Sequence, residues 1–397
     1  MQSEITSNTP ENNGQNISPE SSPESSQKYV RKIYTGLVNL GNTCFLNACI
    51  QALSYTYEIS RILDSPITKT YMNPKKIETE LLKEWNELRI LISEDQIPAS
   101  SGTSPPISRI ISPNKFVNNV QKIAYYKQKD IFTGWSQNDM PEFLFFMIEC
   151  IHNSLSRPVK IKISGKSENK TDELAIKCYE MLQKTYAEEY SEIMELFYGI
   201  YVSQISVLTT PEQSPSASVS IKPESFFILD LPIRQTPGEQ NQDKSSKISL
   251  YDCFDLFVKP ELLIDENAWY NENTKTYENA KKQILFWNFP KILIITLKRF
   301  SPDGTQKMPD LIEFPLENLD LSKYIKGYNA SQYVYDLYAV CNHIGNIYIG
   351  HYTAFVKTAS GEWLHFNDEL VENIENPNDI VTPMAYCLFY RKKNKKI

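Results

Sequence analysis

The segment Gly36-Leu37-Val38-Asn39-Leu40-Gly41-Asn42-Thr43-Cys44-Phe45-Leu46-Asn47 sets a cysteine at the end of a turn. The stretch that follows lacks Pro and Gly, and its apolar residues (Leu46, Cys49, Ile50, Leu53, Tyr57) recur with helical spacing as far as about Leu63. A thiol at a helix start faces the positive end of the helix dipole, which predicts a lowered pKa for Cys44 and a nucleophilic thiolate. The unpaired N–H groups of that first turn are donors for a developing oxyanion. Asn39, five residues earlier across the turn, can aim its side-chain amide at the same oxygen. A base is offered by Gly350-His351-Tyr352-Thr353-Ala354-Phe355, followed by Trp363-Leu364-His365-Phe366-Asn367-Asp368. These read as two strands joined by a turn around 359–361. Such a hairpin brings His351 near Asn367 or Asp368, so that an amide or a carboxylate holds the second ring nitrogen. That is the requirement of a cysteine/histidine/third-residue set. Gly350 lets a backbone pass close beside the ring. His365, in phase with Asn367, and His343 are the internal alternatives to His351.

These residues need elements to hold them. Ile77–Ile92 reads as an amphipathic helix, and 98–113 as a loop. Asp139-Met140-Pro141-Glu142 reads as a helix start, with Asp as cap and Pro in the first turn, leading into FLFFMIECIHNSL. Residues 156–173 read as a polar connector and 174–198 as helix. Beyond them, IYVSQISVL, FFILDLPI, ILFWNFPKILIITLKRF, YVYDLYAVCNHI, YIGHYTAFVKT and AYCLFYRKK are rich in aromatic and β-branched residues and read as strands. A helical first half before a strand-rich second half predicts an α+β protein of two lobes with a cleft between them.

Composition bounds the rest. The chain has 397 residues, 41% hydrophobic, with a net charge of −7, which argues against a general nucleic-acid binder. Its longest apolar runs are too short to span a bilayer, and no secretory or transit signal opens the sequence, so an intracellular protein is expected. The seven cysteines are scattered without CxxC spacing, so neither a disulfide framework nor a thiolate zinc site is expected. Residues 1–28 are nearly free of apolar content and are expected to be disordered. Residues 392–397 form a basic tail.

Taken together, these blocks resemble the ubiquitin-specific protease family of deubiquitinating enzymes. GLVNLGNTCFLNACIQAL is similar to its cysteine box, and SQNDMPEFLFFMIECIH to its Gln-Gln-Asp-Ala-x-Glu-Phe block. NFPKILIITLKRF and IEFPLENLDLSKYI resemble its middle blocks. IGHYTAFVK with GEWLHFNDELV resembles its histidine box, and AYCLFYRK its closing strand. The resemblance implies a papain-like α+β fold over 29–391. Its helical thumb would occupy about 33–195, its β fingers would lie within about 196–290, and a β-rich palm would carry the rest. It implies Cys44 as nucleophile and His351 as base. Asn367 matches the third catalytic position, Asp368 an acidic neighbour that supports it, and Asn39 the oxyanion stabiliser. Asp139 and Glu142 match positions near the channel for the ubiquitin tail, with Gly350 and Tyr352 beside it. The implied partners are ubiquitin and ubiquitinated proteins, with no nucleic acid or membrane, and the chain is expected to act as a monomer. The competing readings are a non-catalytic ubiquitin-binding scaffold, a peptidase for another ubiquitin-like modifier, and an unrelated papain-like peptidase.

Three departures from the family pattern stand out. Asn271 and Thr274, with Val207 and Thr210, stand where the family often carries two CxxC pairs, so no metal and no cofactor is expected, and strand pairing alone should hold the fingers. Met140-Pro141 replaces the usual Ala-x, which a first helical turn tolerates. Asn367 replaces the commoner Asp; an amide orients the imidazole but does not neutralise imidazolium, a deficit that Asp368 would have to make good.

Overall fold

The computed structural model describes residues 2–6, 34–93, 108–208, 219–233, 247–301 and 303–393. Along the chain, the strands used below are β1 (Gln2–Thr6), β2 (Tyr34–Leu37), β3 (Ser108–Ile111), β4 (Lys160–Ser164), β5 (Gly199–Val207), β6 (Val219–Phe226) and β7 (Ile228–Pro232). They continue with β8 (Ala280–Asn288), β9 (Ile292–Lys298), β10 (Val334–Gly345), β11 (Gly350–Lys357), β12 (Trp363–Asn367), β13 (Leu370–Ile374) and β14 (Ala385–Lys392). The helices are α1 (Cys44–Ser54), α2 (Glu78–Ser93), α3 (Asn114–Tyr126), α4 (Met140–Leu155), α5 (Lys170–Glu188) and α6 (Leu250–Phe257).

The central sheet has the order β13-β12-β11-β10-β14-β9-β7, with Leu319–Asp320 added beside β10. Its inner strands are apolar on both faces, as a sheet covered on both sides requires. Along β9, Ile292 and Ile294 enter one core, while Leu293, Ile295 and Leu297 enter the other. The first core is shared with α1, α2, α3 and α4, and the second contains Leu250, Cys253 and Phe254 of α6. The mixed α+β architecture is the one expected from the sequence.

All eleven residues of α1 are buried, between β11 and α4. No side chain caps its first turn. Burying Phe45, Leu46, Ile50 and Leu53 contributes about 1.5–3 kcal/mol each, more than a cap supplies, so packing holds this helix in place. At α4 the expected cap is present: the Asp139 carboxylate accepts from the Glu142 N–H at 3.1 Å, and Met140-Pro141 fits the first turn.

Several local expectations are corrected. The helix after Cys44 breaks at Tyr55–Thr56 and restarts as Tyr57–Asp64. There the Thr56 hydroxyl bonds the Ala52 carbonyl (3.1 Å) and the Tyr338 hydroxyl (2.8 Å), and so competes with the helical ladder. The expected helix over 174–198 is two, α5 and Glu192–Phe197. The loop over 98–113 contains β3, which pairs in parallel with β2, while 94–107 lies outside the described residues. The polar connector contains β4, and β1 pairs with it, so the disordered tail does not hold at 2–6. Short edge strands are readily assigned to loops, because their stability comes from a distant partner and little from their own composition. Residues 7–28 and most of the basic tail, 394–397, lie outside the described residues.

A second sheet joins β6, β5, β8 and Glu261–Leu263. Near it, the hairpin Trp269–Asn271 with Thr276–Glu278 carries the positions where cysteines would stand. Strand pairing is supplemented there by a side-chain network. The buried Asn271 donates to Glu278 at 3.1 Å and accepts from the Asn273 N–H at 3.0 Å, and Thr274 donates to Glu278 at 2.5 Å. Among the described residues, no three His, Cys, Asp or Glu side chains are placed to hold a metal ion. With Asn271 and Thr274 at the positions of the family's cysteines, a chelator is expected to leave the thermal unfolding midpoint unchanged. Asn271→Ala, which strips the Asn273 N–H of its acceptor, should cost about 1–2 kcal/mol in denaturant unfolding.

Candidate active site

Cys44 is the first residue of α1, and the turn before it passes through left-handed backbone at Asn42 (φ 58°). Asn39 shapes this turn: its Oδ1 accepts from the Gly41 and Thr43 N–H groups, both at 3.1 Å. The expectation that its amide N–H aims at an oxyanion is not what this structure displays, because Nδ2 donates to Asp368 Oδ2 at 2.9 Å. Backbone N–H groups of Cys44, Phe45 and Tyr352 reach the Cys44 thiol and favour thiolate. Burial outweighs them and, with the Asp368 carboxylate adding to it, pushes the thiol pKa up. The predicted lowering at the helix start is thus reversed: the donors are there, but an apolar surround penalises the charge more than they stabilise it.

His351 lies at the start of β11 and Asn367 at the end of β12. The register that pairs Ala354 with Phe366 puts Asn367 beside Thr353, two residues from His351 and on the same face. His351 Nε2 stands 2.7 Å from Asn367 Oδ1. With Nε2–H donating to that oxygen, Nδ1 is left with a lone pair to accept a proton. The Tyr352 N–H at the thiol places Cys44 against the residue next to His351.

Asp368 does not share the imidazole. It turns through left-handed backbone (φ 50°), and its carboxylate accepts from Asn39 Nδ2 (2.9 Å) and from Asn47 Nδ2 (2.8 Å). It ties the base segment to the nucleophile segment. Its carbonyl also accepts from the Leu37 N–H at 2.9 Å, and the Glu369 backbone lies so close to Gly36 that a Cβ there would overlap it.

Asp139 is largely enclosed. Besides capping α4, it accepts from the Tyr386 hydroxyl (2.9 Å) and the Tyr352 hydroxyl (3.3 Å), and burial pushes its carboxyl pKa up. Glu142 is exposed on the first turn of α4, and its carboxyl is pushed up by partial burial and by Asp139. The Gly350 N–H donates to Gln137 Oε1 at 2.8 Å, which joins the start of β11 to the segment before α4. The other histidines have other partners. His365 lies 3.5 Å from Glu372, His152 bonds Ser191 at 2.7 Å, and His343 meets Lys307 at 3.0 Å. Asn47 and Gln137 were missed by sequence reasoning. Asn47 stands one turn after Cys44, one of three polar residues with Gln51 and Ser54 on this buried helix, and its nearness to Cys44 was the available signal. Gln137 falls on the first Gln of the Gln-Gln-Asp-Ala-x-Glu-Phe block, and that resemblance was its signal.

Comparison with known proteins identifies the family. The family model for ubiquitin carboxyl-terminal hydrolase matches residues 35–390. The chain is 33% identical over 364 residues to ubiquitin carboxyl-terminal hydrolase 2 of Homo sapiens, covering 89% of this chain and 54% of that protein. It is 30% identical over 360 residues to ubiquitin carboxyl-terminal hydrolase Usp2 of Drosophila melanogaster, covering 90% of this chain and 34% of that protein. The chain thus spans about a third to about half the length of these curated relatives. A chain of the solved SAGA DUB module Ubp8/Sgf11/Sus1/Sgf73 bound to monoubiquitin shares the fold with a TM-score of 0.62 at 24% identity, covering 90% of this chain and 69% of that one. The matched span takes in Cys44 and its turn, the α4 start, and the hairpin that joins His351 to Asn367, and on that ground the chain belongs to the ubiquitin carboxyl-terminal hydrolase family.

Proposed function

We propose that the chain is an intracellular, monomeric cysteine peptidase that hydrolyses the peptide or isopeptide bond after the C-terminal glycine of ubiquitin. The observation that carries this is the His351–Asn367 bond of 2.7 Å, with the thiol of Cys44 beside the next residue of the same strand. The names of the relatives and the monoubiquitin bound to the SAGA DUB module support the choice of substrate. In this reading the helices through 195 serve as thumb, the sheet around β5 and β8 as fingers, and the central sheet as palm. The ubiquitin tail lies between thumb and palm, beside Asp139, Glu142, Gly350 and Tyr352.

The chemistry follows from the atoms. His351 Nδ1 takes the Cys44 proton as Sγ attacks the glycine carbonyl carbon. The negative oxygen is held by N–H groups at the start of α1, with Asn39 shaping that turn. Collapse breaks the carbon–nitrogen bond, and the imidazolium gives its proton to the leaving lysine amine. Water, deprotonated by His351, then cleaves the thioester to a carboxylate and restores the thiol. Asn367 fixes the ring throughout without adding charge. Because burial keeps the resting Cys44 as thiol, the ligand-free protein is expected to react slowly with small alkylating agents.

The test is a ubiquitin probe bearing a C-terminal electrophile, applied to wild type and to Cys44→Ala, beside the same warhead on another ubiquitin-like modifier. A Cys44-dependent adduct with the ubiquitin probe alone is expected. Adducts only with the other modifier would move the substrate. Binding of ubiquitin without an adduct would favour a scaffold, and absence of both would end the proposal.

A further inference from the structure

Lys307 is a half-buried cation, and among the described residues no carboxylate lies within ion-pair distance of it. Its Nζ donates to the His343 carbonyl at 2.6 Å and stands 3.0 Å from His343 Nδ1. The far edge of the same ring rests on the backbone just before the base, where a Cβ at Gly350 would overlap His343 Nε2. The ring is boxed by Tyr352 (4.7 Å), Phe300 (5.6 Å) and Tyr386 (5.8 Å). In the β10–β11 ladder His343 opposes Tyr352, Ile344 opposes His351, and Gly345 opposes Gly350. The Lys307 side chain is itself held from behind. Phe300 and Lys307 form a bridge, and the buried Arg299 donates to the carbonyls of Met308, Asp310 and Ala385. A chain of contacts therefore runs from Arg299 through Lys307 and His343 to the turn that launches His351.

We propose that Lys307 is a positioning residue for the base: by fixing the ring of His343 against Gly350 it sets the place from which His351 reaches Asn367 and Cys44. An ammonium donor to Nδ1 also selects the neutral Nε2–H form of His343. The charged and titratable groups facing this pair are Arg299 from the end of β9, the Tyr352 hydroxyl from β11 and the Tyr386 hydroxyl from β14. Asp139 is engaged with both hydroxyls. Burial and then Arg299 bring the Lys307 pKa down to about 8, and burial with Lys307 brings His343 down to about 4. The clamp is thus charged below about pH 8 and loses its proton above it.

The inference rests on the peptidase reading for its kinetic arm but not for its spectroscopic one. Side-chain imidazole NMR of the free protein should show a protected His351 Nε2–H signal in wild type and in Lys307→Arg, broadened or lost in Lys307→Met. With a ubiquitin C-terminal fluorogenic substrate and concentrations set by active-site titration, Lys307→Met should lower kcat by about 10- to 100-fold with KM nearly unchanged. Wild-type kcat should fall as pH rises through about 8, whereas Lys307→Arg, always charged, should keep its rate there. An unaltered His351 signal in Lys307→Met overturns the proposal whether or not wild type turns over ubiquitin. In an active wild type, so does an unchanged kcat in Lys307→Met or the same alkaline fall in Lys307→Arg.

Discussion

His351→Ala is expected to lower kcat for hydrolysis at the ubiquitin C-terminus by about 10⁴-fold, with ubiquitin affinity nearly unchanged. The size follows from two features of the site. Burial and Asp368 hold the Cys44 thiol protonated, so no thiolate is available without a base. His351 is also the histidine that bonds Asn367, while His343, His365 and His152 are engaged with Lys307, Glu372 and Ser191. Asn367→Ala removes orientation and leaves the base, so a loss of about 10- to 100-fold is expected. Asn367→Asp adds a charge beside the imidazolium and should match or exceed wild type. Steady-state rates, with ubiquitin binding measured by calorimetry, check all three. A His351→Ala protein retaining substantial turnover, or a His365→Ala protein equally damaged, would reassign the base.

Asp368→Ala is the second large effect expected, and it reads on stability as well as rate. The Asp368 carboxylate is the acceptor for the Asn39 and Asn47 amides, and Asn47 is buried. Asn39 Nδ2 then loses its acceptor, and Asn47 Nδ2 keeps only the Leu37 and Val38 carbonyls at 3.3 Å, which should cost about 1–3 kcal/mol of unfolding free energy. The same change loosens the turn that presents the α1 donors, and displacement of that order lowers kcat by about 10²-fold. Asp368→Asn should be milder on both counts, because asparagine keeps one acceptor oxygen and tolerates the positive φ found there. Denaturant unfolding and kcat of the two variants decide the matter. If Asp368→Ala leaves stability intact while abolishing turnover, Asp368 acts on the imidazole directly and is not a tie between segments.

Much of this site was legible before any coordinates. The strands came from runs and alternations of β-branched and aromatic residues, and the α4 cap from Asp139 with Glu142. A hairpin between His351 and Asn367 followed from the turn at 359–361. Each is a local pattern in which the neighbours that matter lie within a few residues. The resemblance to the family's cysteine and histidine boxes then named the chemistry.

The tertiary structure decided what local pattern does not carry. Asn367 and Asp368 are adjacent and both suit a histidine. The choice between them came from the β11–β12 register and from the left-handed turn at Asp368, which carries its carboxylate away to Asn39, 329 residues distant in sequence. The direction of the Cys44 shift depended on burial beneath β11, which reverses what a helix start alone predicts. The strands β1, β3 and β4, and the clamp of Lys307 on His343, exist through partners far along the chain. Sequence by itself singled out the candidate residues Cys44 and His351 and most of the elements that hold them, because period, capping and turn chemistry are short-range. Only the folded chain determined which polar atoms meet and which charges are favoured, because hydrogen-bond partners and desolvation are set by elements that pack together from opposite ends of the sequence.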